Sequence, residues 1–200
     1  MKTIITVQHT QSIQHTNGMI GSWTDWELTD LGKAHAENIG RKLSAELQGQ
    51  EYKIYSSDLI RAKQTTEPLA RYMGIPIIYL EKLREHYMGE AVGKTKQWAK
   101  ENSLPVNSFD DRQFPGAESW SEFWNRVTNL WNEILTEKND KIILVSHGGT
   151  LAVLHQLWRC SELQYCKFGA AGSVSILNIN NNGENDIKCL NDLSYMESSK

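Results

Sequence analysis

The sequence predicts an α/β protein, a three-layer sandwich in which helices flank a mostly parallel central sheet. Short apolar, β-branched runs alternate along the chain with longer stretches whose apolar residues recur at helical spacing. Two of the short runs, Ile4–Val7 and Lys141–Val145, stop on polar segments that each carry a histidine, Gln8-His9-Thr10-Gln11-Ser12 and Ser146-His147-Gly148-Gly149. Ligands in open α/β sheets bind beyond the carboxyl ends of the strands, so this repetition aims two imidazoles at one cleft. Either histidine alone reads as a hydrogen-bonded strand-end residue. Two hundred residues with 40% hydrophobic content suit one domain with a full core.

Ile4 to Val7 is too short for a helix and is rich in strand formers. A loop follows from Ile13 to Leu28, whose Trp23 and Trp26 read as a ligand-covering flap or as packing onto the body. Thr29 is placed to cap a helix reaching about Gln48, with Asp30 in its first turn and Leu31, Ala34, Ile39, Leu43 and Leu47 broadly at helical spacing. Tyr52–Tyr55 is a strand, and Ser56, Ser57 and Asp58 are suited to cap the next helix, about Leu59 to Met73. That helix should bend or break at Pro68 and stop at Gly74. Arg61 lies in its first turn, where a cation is disfavoured unless it shares an anion with the free backbone amides.

Pro76–Leu80 is a third strand, leading into a charged loop from Leu83 to Glu90. Gly89 to Thr95 falls one residue short of P-loop spacing and no strand feeds it directly, so nucleotide binding is rejected there. A short helix covers Lys94 to Asn102, and an irregular stretch runs to Gly116. Ser119-Trp120-Ser121-Glu122 is a capping box opening a helix to about Lys138, with Trp120, Trp124, Val127 and Trp131 on its core side. After the second histidine strand come a helix from Thr150 to Trp158 and an outer strand from Ser173 to Ile179. A turn at Asn180–Gly183 and a last strand at Ile187–Leu190 complete the order. Residues 1–195 form one domain, and 196–200 a polar tail.

The formal charge of -3 and pI near 6.1 give no reason to expect nucleic acid or an anionic membrane as partner. No apolar run approaches the ~18 residues of a membrane span, and Met1-Lys2-Thr3 shows no signal-peptide pattern. Cys160, Cys166 and Cys189 lack metal-type spacing and read as reduced thiols in a cytoplasmic protein. Neither metal nor cofactor is expected. The oligomeric state is left open, a homodimer among the options.

Four constellations in this order resemble the histidine phosphatase superfamily, also called the phosphoglycerate-mutase-like family. Ser56-Ser57-Asp58-Leu59-Ile60-Arg61-Ala62-Lys63-Gln64-Thr65 is similar to its second motif, and Leu83-Arg84-Glu85 through Gly93 to its acid-bearing loop. Pro115-Gly116-Ala117-Glu118-Ser119 resembles its Gly-Glu-Ser helix entry, and Ser146-His147-Gly148-Gly149-Thr150 its second histidine motif. The resemblance implies His9 as nucleophile, Arg61 and His147 flanking the phosphoryl oxygens, and Glu85 as acid and then base. It further implies Gln8, Ser12, His15, Arg61 and Gly148 as phosphate-binding positions.

The first motif departs from the family's Arg-His-Gly-Glu-Thr with a later asparagine, because this chain carries Gln8, His9, Thr10, Gln11, Ser12 and His15 there. Gln8 removes a charge and a bidentate phosphate donor. His15, at the asparagine position, is expected to donate a hydrogen bond and, when protonated, to replace part of the missing charge. The compact stretch between Gly93 and Pro115 argues against a mutase, whose family members carry a longer insertion. The expectation is a metal-independent phosphatase for a small phosphomonoester. A weakened phospho-ligand binder is the alternative, and Trp23, Trp26, Trp98 and residues 102–116 are candidates to line the pocket.

Overall fold

The computed structural model describes residues 1–159, 162–164, 166, 168–180 and 185–198. Cys160 and most of the expected turn at Asn180–Gly183 lie outside the described residues. The strands are β1 (Lys2–Gln8), β2 (Lys53–Ser56), β3 (Ile77–Tyr79), β4 (Lys141–Ser146), β5 (Val174–Ile179) and β6 (Asn185–Asp192). The helices are α1 (Asp30–Glu46), α2 (Ile60–Met73), α3 (Lys96–Asn102), α4 (Trp120–Thr136) and α5 (Gly148–Arg159).

One six-stranded sheet runs in the order β3-β2-β4-β1-β5-β6. It is parallel from β3 to β1 and antiparallel at β5 and β6, so the sheet is mixed. The connection from β5 to β6 is too short for the crossover that parallel neighbours need.

Side chains alternate across each strand, and the two faces build separate cores. Ile4, Ile142, Leu144 and Leu177 pack under α4 and α5, against Phe123, Val127, Leu130 and Leu154. Ile5, Val7, Ile143 and Val145 pack under α1 and α2, against Ile39, Leu43 and Leu69. This is the three-layer sandwich. Ser119 and Glu122 form the expected capping box of α4.

Two local expectations are corrected. Pro68 neither ends nor divides α2, which continues to Met73 and is capped by left-handed Gly74. A Cβ at Gly40 of α1 would lie 2.9 Å from the Pro68 side chain, so the two helices meet closely there. Nor do the side chains of Ser56 to Asp58 bond the first-turn amides of α2, although Ser57 Oγ accepts from the Leu59 amide just before it at 3.4 Å. The cap residue Leu59 offers no side-chain bond, and the Ile60 amide donates instead to Asp25 Oδ1 at 2.9 Å. Asp58 is diverted to an ion pair with Arg84, and Ser57 to His147. At the far end, Met196 packs against the β1–α1 core and its carbonyl accepts from Asn38 at 2.9 Å.

Candidate active site

Register brings the two histidines together. Val7 pairs with Val145 and Gln8 with Ser146, so β1 and β4 end in step. The His9 amide donates to the Ser146 carbonyl at 2.9 Å, and the His9 and His147 ring centroids lie 5.0 Å apart. Both rings are buried.

Hydrogen bonds set the tautomer of His9. Nδ1 lies 2.8 Å from the Thr10 carbonyl, which can only accept, so Nδ1 carries the proton. Nε2 is left with its lone pair, and Arg61 Nε donates to it at 3.3 Å. Burial, then the Arg61 charge, then His15 hold the His9 pKa well below its ordinary 6.5, so the ring is neutral at physiological pH. His147 is held low by burial, Arg61 and His9 in the same order. Its Nε2 bonds Ser57 Oγ at 2.8 Å, while its Nδ1 is buried with no partner among the described residues.

Arg61 is fully buried, which excludes a surface role. Its other nitrogens donate to the carbonyls of Thr24 at 2.8 Å and Ser22 at 2.6 Å, and burial lowers its pKa to about 10. It therefore remains a cation at neutral pH, beside two neutral imidazoles and facing backbone oxygens, with the Glu85 and Asp25 carboxylates favouring its charge. A buried cation in such company is stabilised by an anion that also reaches His9. Ser22 adopts φ 47°, a left-handed conformation strained for a residue with a Cβ. That backbone aims its carbonyl at Arg61.

Glu85 completes the arrangement from the opposite side. Its Oε2 accepts from the Gly149 amide in the first turn of α5 at 2.9 Å, and Oε1 from the His86 amide at 2.9 Å. A Cβ at position 149 would fall 2.3 Å from Glu85 Oε1, so the carboxylate needs glycine there. The loop carrying Glu85 is clamped by Arg126, which donates to the carbonyls of Lys82, Arg84 and Glu85 at 2.9, 3.0 and 3.1 Å. Arg126 also grips both carboxylate oxygens of Glu118, at 2.7 and 2.8 Å.

Gln8, His9, His15, Glu85 and Gly148 line one cavity of about 340 Å³. Arg61, His147 and Ser12 lie behind that wall, fully buried. Ser12 supports His15 rather than facing the cavity: its amide donates to His15 Nδ1 at 2.9 Å and its Oγ lies 3.3 Å away. That bond places the proton of the neutral ring on Nε2. Desolvation of the covered side of His15, then the Arg61 charge, lower its pKa from 6.5. Both effects favour the neutral ring, which donates through Nε2, whereas a phosphate dianion in the cavity would favour the cation. Thr10, at the family's glycine position, is not left-handed. Its hydroxyl turns away from the cavity to donate to the Gly32 carbonyl at 2.8 Å.

A second chamber of about 430 Å³ shares Gln14, Glu85 and Phe168 with the first and is walled by Met88, Val106 and Trp120. The tryptophans expected to line it do not. Trp23 is held by the Glu85 carbonyl at 2.6 Å and stacks under Arg84, and Trp98 stacks on Phe114. Trp26 borders neither cavity, whereas Trp120 lies in the core as expected and also forms part of the wall. Gln14, Ser22, Phe168 and Arg126 carry no motif signal. Only the spacing of Gln14 from His9 and His15 could have pointed to it. Among the described residues no group of three His, Cys, Asp or Glu is arranged to hold a metal, and no helix is long and apolar enough to cross a membrane.

The model of the histidine phosphatase superfamily (branch 1) matches residues 4–193. Phosphoglycerate mutase-like protein 4 of Arabidopsis thaliana is 27% identical over 97% of this chain and 86% of its own length. The metal-independent phosphoserine phosphatase of the same plant is 28% identical over 76% of this chain and 66% of its own. A mycobacterial glucosyl-3-phosphoglycerate phosphatase, solved with inorganic phosphate, superposes with a TM-score of 0.81 at 20% identity, covering 99% of this chain and 100% of that one.

Proposed function

The chain belongs to branch 1 of the histidine phosphatase superfamily, and we propose that it is a metal-independent phosphatase of small phosphomonoesters, acting through a phosphohistidine at His9. The observation that carries this reading is the bare Nε2 of His9, its tautomer fixed by Thr10 and its lone pair facing the guanidinium of Arg61. Nε2 attacks phosphorus as the bond to the leaving oxygen breaks, and Glu85 hands that oxygen a proton. Arg61 Nε–H, no longer engaged by the lone pair, turns to a phosphoryl oxygen. His147, the Gly148 amide and the neutral His15 supply further donors to the oxygens on which charge accumulates. Water then attacks phosphorus and Glu85 takes its proton. The N–P bond breaks, His9 is restored, and alcohol and inorganic phosphate leave.

Hydrolysis is favoured over mutase transfer because the chamber opens to solvent past Val106 and Phe168, exposed by 41% and 53%. A mutase must keep its phosphoenzyme from water. Cytoplasmic residence is part of the same proposal, on the reading of the cysteines as reduced thiols. The test is a rapid quench with labelled substrate. Acid-labile, alkali-stable label is expected in the wild type, and its persistence in His9→Ala would overturn the assignment.

A further inference from the structure

The chamber beside Glu85 has a wall of its own character, of which the reaction at His9 uses Glu85 alone. Met88, Val106, Trp120 and Phe168 give it apolar surface, and its volume of about 430 Å³ falls within the usual range for small organic ligands. The charged side chains on that wall, among the described residues, are all carboxylates: Glu85, Asp111 and Glu118. Glu118 is neutralised by Arg126. Asp111 is not paired with a cation: its Oδ2 accepts from the amides of Asn107 and Ser108, at 2.7 and 2.8 Å. Those two bonds lower its pKa, so it is ionised at neutral pH. Gln14 and Glu85 border both cavities, so a phosphoryl group at His9 would send its organic part past Gln14 into this chamber.

We infer that the substrate is a phosphomonoester with a single anionic group, whose alcohol part presents an uncharged, partly apolar body to Met88, Val106, Trp120 and Phe168. A second phosphate or a carboxylate on that body meets the Asp111 carboxylate and, among the described residues lining the chamber, gains no lysine or arginine in exchange. The inference rests on the phosphatase reading of the His9 site and specifies what that site accepts.

Four probes test it through kcat/KM: ethyl phosphate, 2-phenylethyl phosphate, 3-phosphoglycerate and p-nitrophenyl phosphate. The phenyl ring should raise kcat/KM about tenfold or more over ethyl phosphate, as expected for burying one aromatic face. 3-Phosphoglycerate should fall below ethyl phosphate. In Val106→Arg, at the exposed rim, the ratio of 3-phosphoglycerate to ethyl phosphate should rise up to about fivefold, as one partly screened charge pair allows. 3-Phosphoglycerate matching or exceeding 2-phenylethyl phosphate overturns the inference and leaves the phosphatase standing. Loss of all turnover, p-nitrophenyl phosphate included, overturns the phosphatase instead. The three alkyl phosphates are then ranked as ligands by calorimetry, and the same order decides the inference.

Discussion

Gly149→Ala separates the chemistry at Glu85 from the stability of the fold. The added Cβ would lie 2.3 Å from Glu85 Oε1, where ordinary contact begins at 3.4 Å, so the carboxylate must retreat by about 1 Å. Position 149 has no positive φ, so alanine fits the helical backbone and should stabilise the first turn of α5 by about 0.5 kcal/mol. Against this stands the Gly149 N–H bond to Oε2, at 2.9 Å. A hydrogen bond to a carboxylate is worth about 1.5–3 kcal/mol, less here because half-buried Glu85 finds water when displaced. The net loss of stability should be about 1 kcal/mol or less. The catalytic loss should be about 100-fold, since general acid catalysis contributes 10²–10⁴ and a misplacement of about 1 Å forfeits much of it. It should fall on ethyl phosphate and largely spare p-nitrophenyl phosphate, whose leaving group needs little protonation. Steady-state kinetics on both esters and a thermal melt decide the matter. Equal losses on the two esters, or full activity on ethyl phosphate, would refute the role given to Glu85.

Arg126→Met leaves the carboxylate of Glu118 and three carbonyls of the Glu85 loop without their donor. It should cost roughly 2–4 kcal/mol in urea unfolding, and a loss under about 0.5 kcal/mol would mean that the clamp is idle. Gln8→Arg should tighten inhibition by inorganic phosphate about tenfold by restoring a charged donor, whereas His15→Asn should change the pH dependence of KM little near neutral pH, because burial and then Arg61 favour the neutral His15 ring. A pH-dependent change confined to His15→Asn would restore the protonated ring. Unfolded imidazoles titrate near 6.5, and half-buried His155 near 4, lowered by desolvation and then by Arg159. Between those values the unfolded chain binds more protons, so stability should fall as pH drops from about 6.5 towards 4. The slope should be shallower by up to one proton in His155→Gln, and an unchanged slope would show that His155 is protonated in the fold.

The alternation of strands and helices was legible because short β-branched apolar runs such as Ile4–Val7, and the 3.6-residue period along α4, are written in the chain itself. The meeting of His9 with His147 was legible for a related reason, since both follow a strand directly. Partnerships made by tertiary placement were not. Asp25 caps α2 from a distant loop, and Asp58, beside that helix, is drawn to Arg84. That Trp120 of the core also borders the chamber, while Trp23 packs under Arg84, depends on how the loops close over the sheet. The charge of His15 depends on Arg61, a neighbour that only the fold supplies.

The pairing of β1 with β4 also fixes when the site can exist. His9 emerges near the start of the chain, yet its ring gains its neighbour only when a strand from the last third docks beside β1. Long-range parallel pairing of this kind is slow, because loop closure precedes any compensating contact. A ribosome-bound chain that has not yet exposed β4 holds β1 to β3, α1 to α4 and His9, but not the strand that brings His147 to it. Recovery of phosphatase activity on refolding should therefore lag behind the recovery of helical signal and keep time with the arrival of β4. The enzyme's own turnover becomes a clock for the closing step of its sheet.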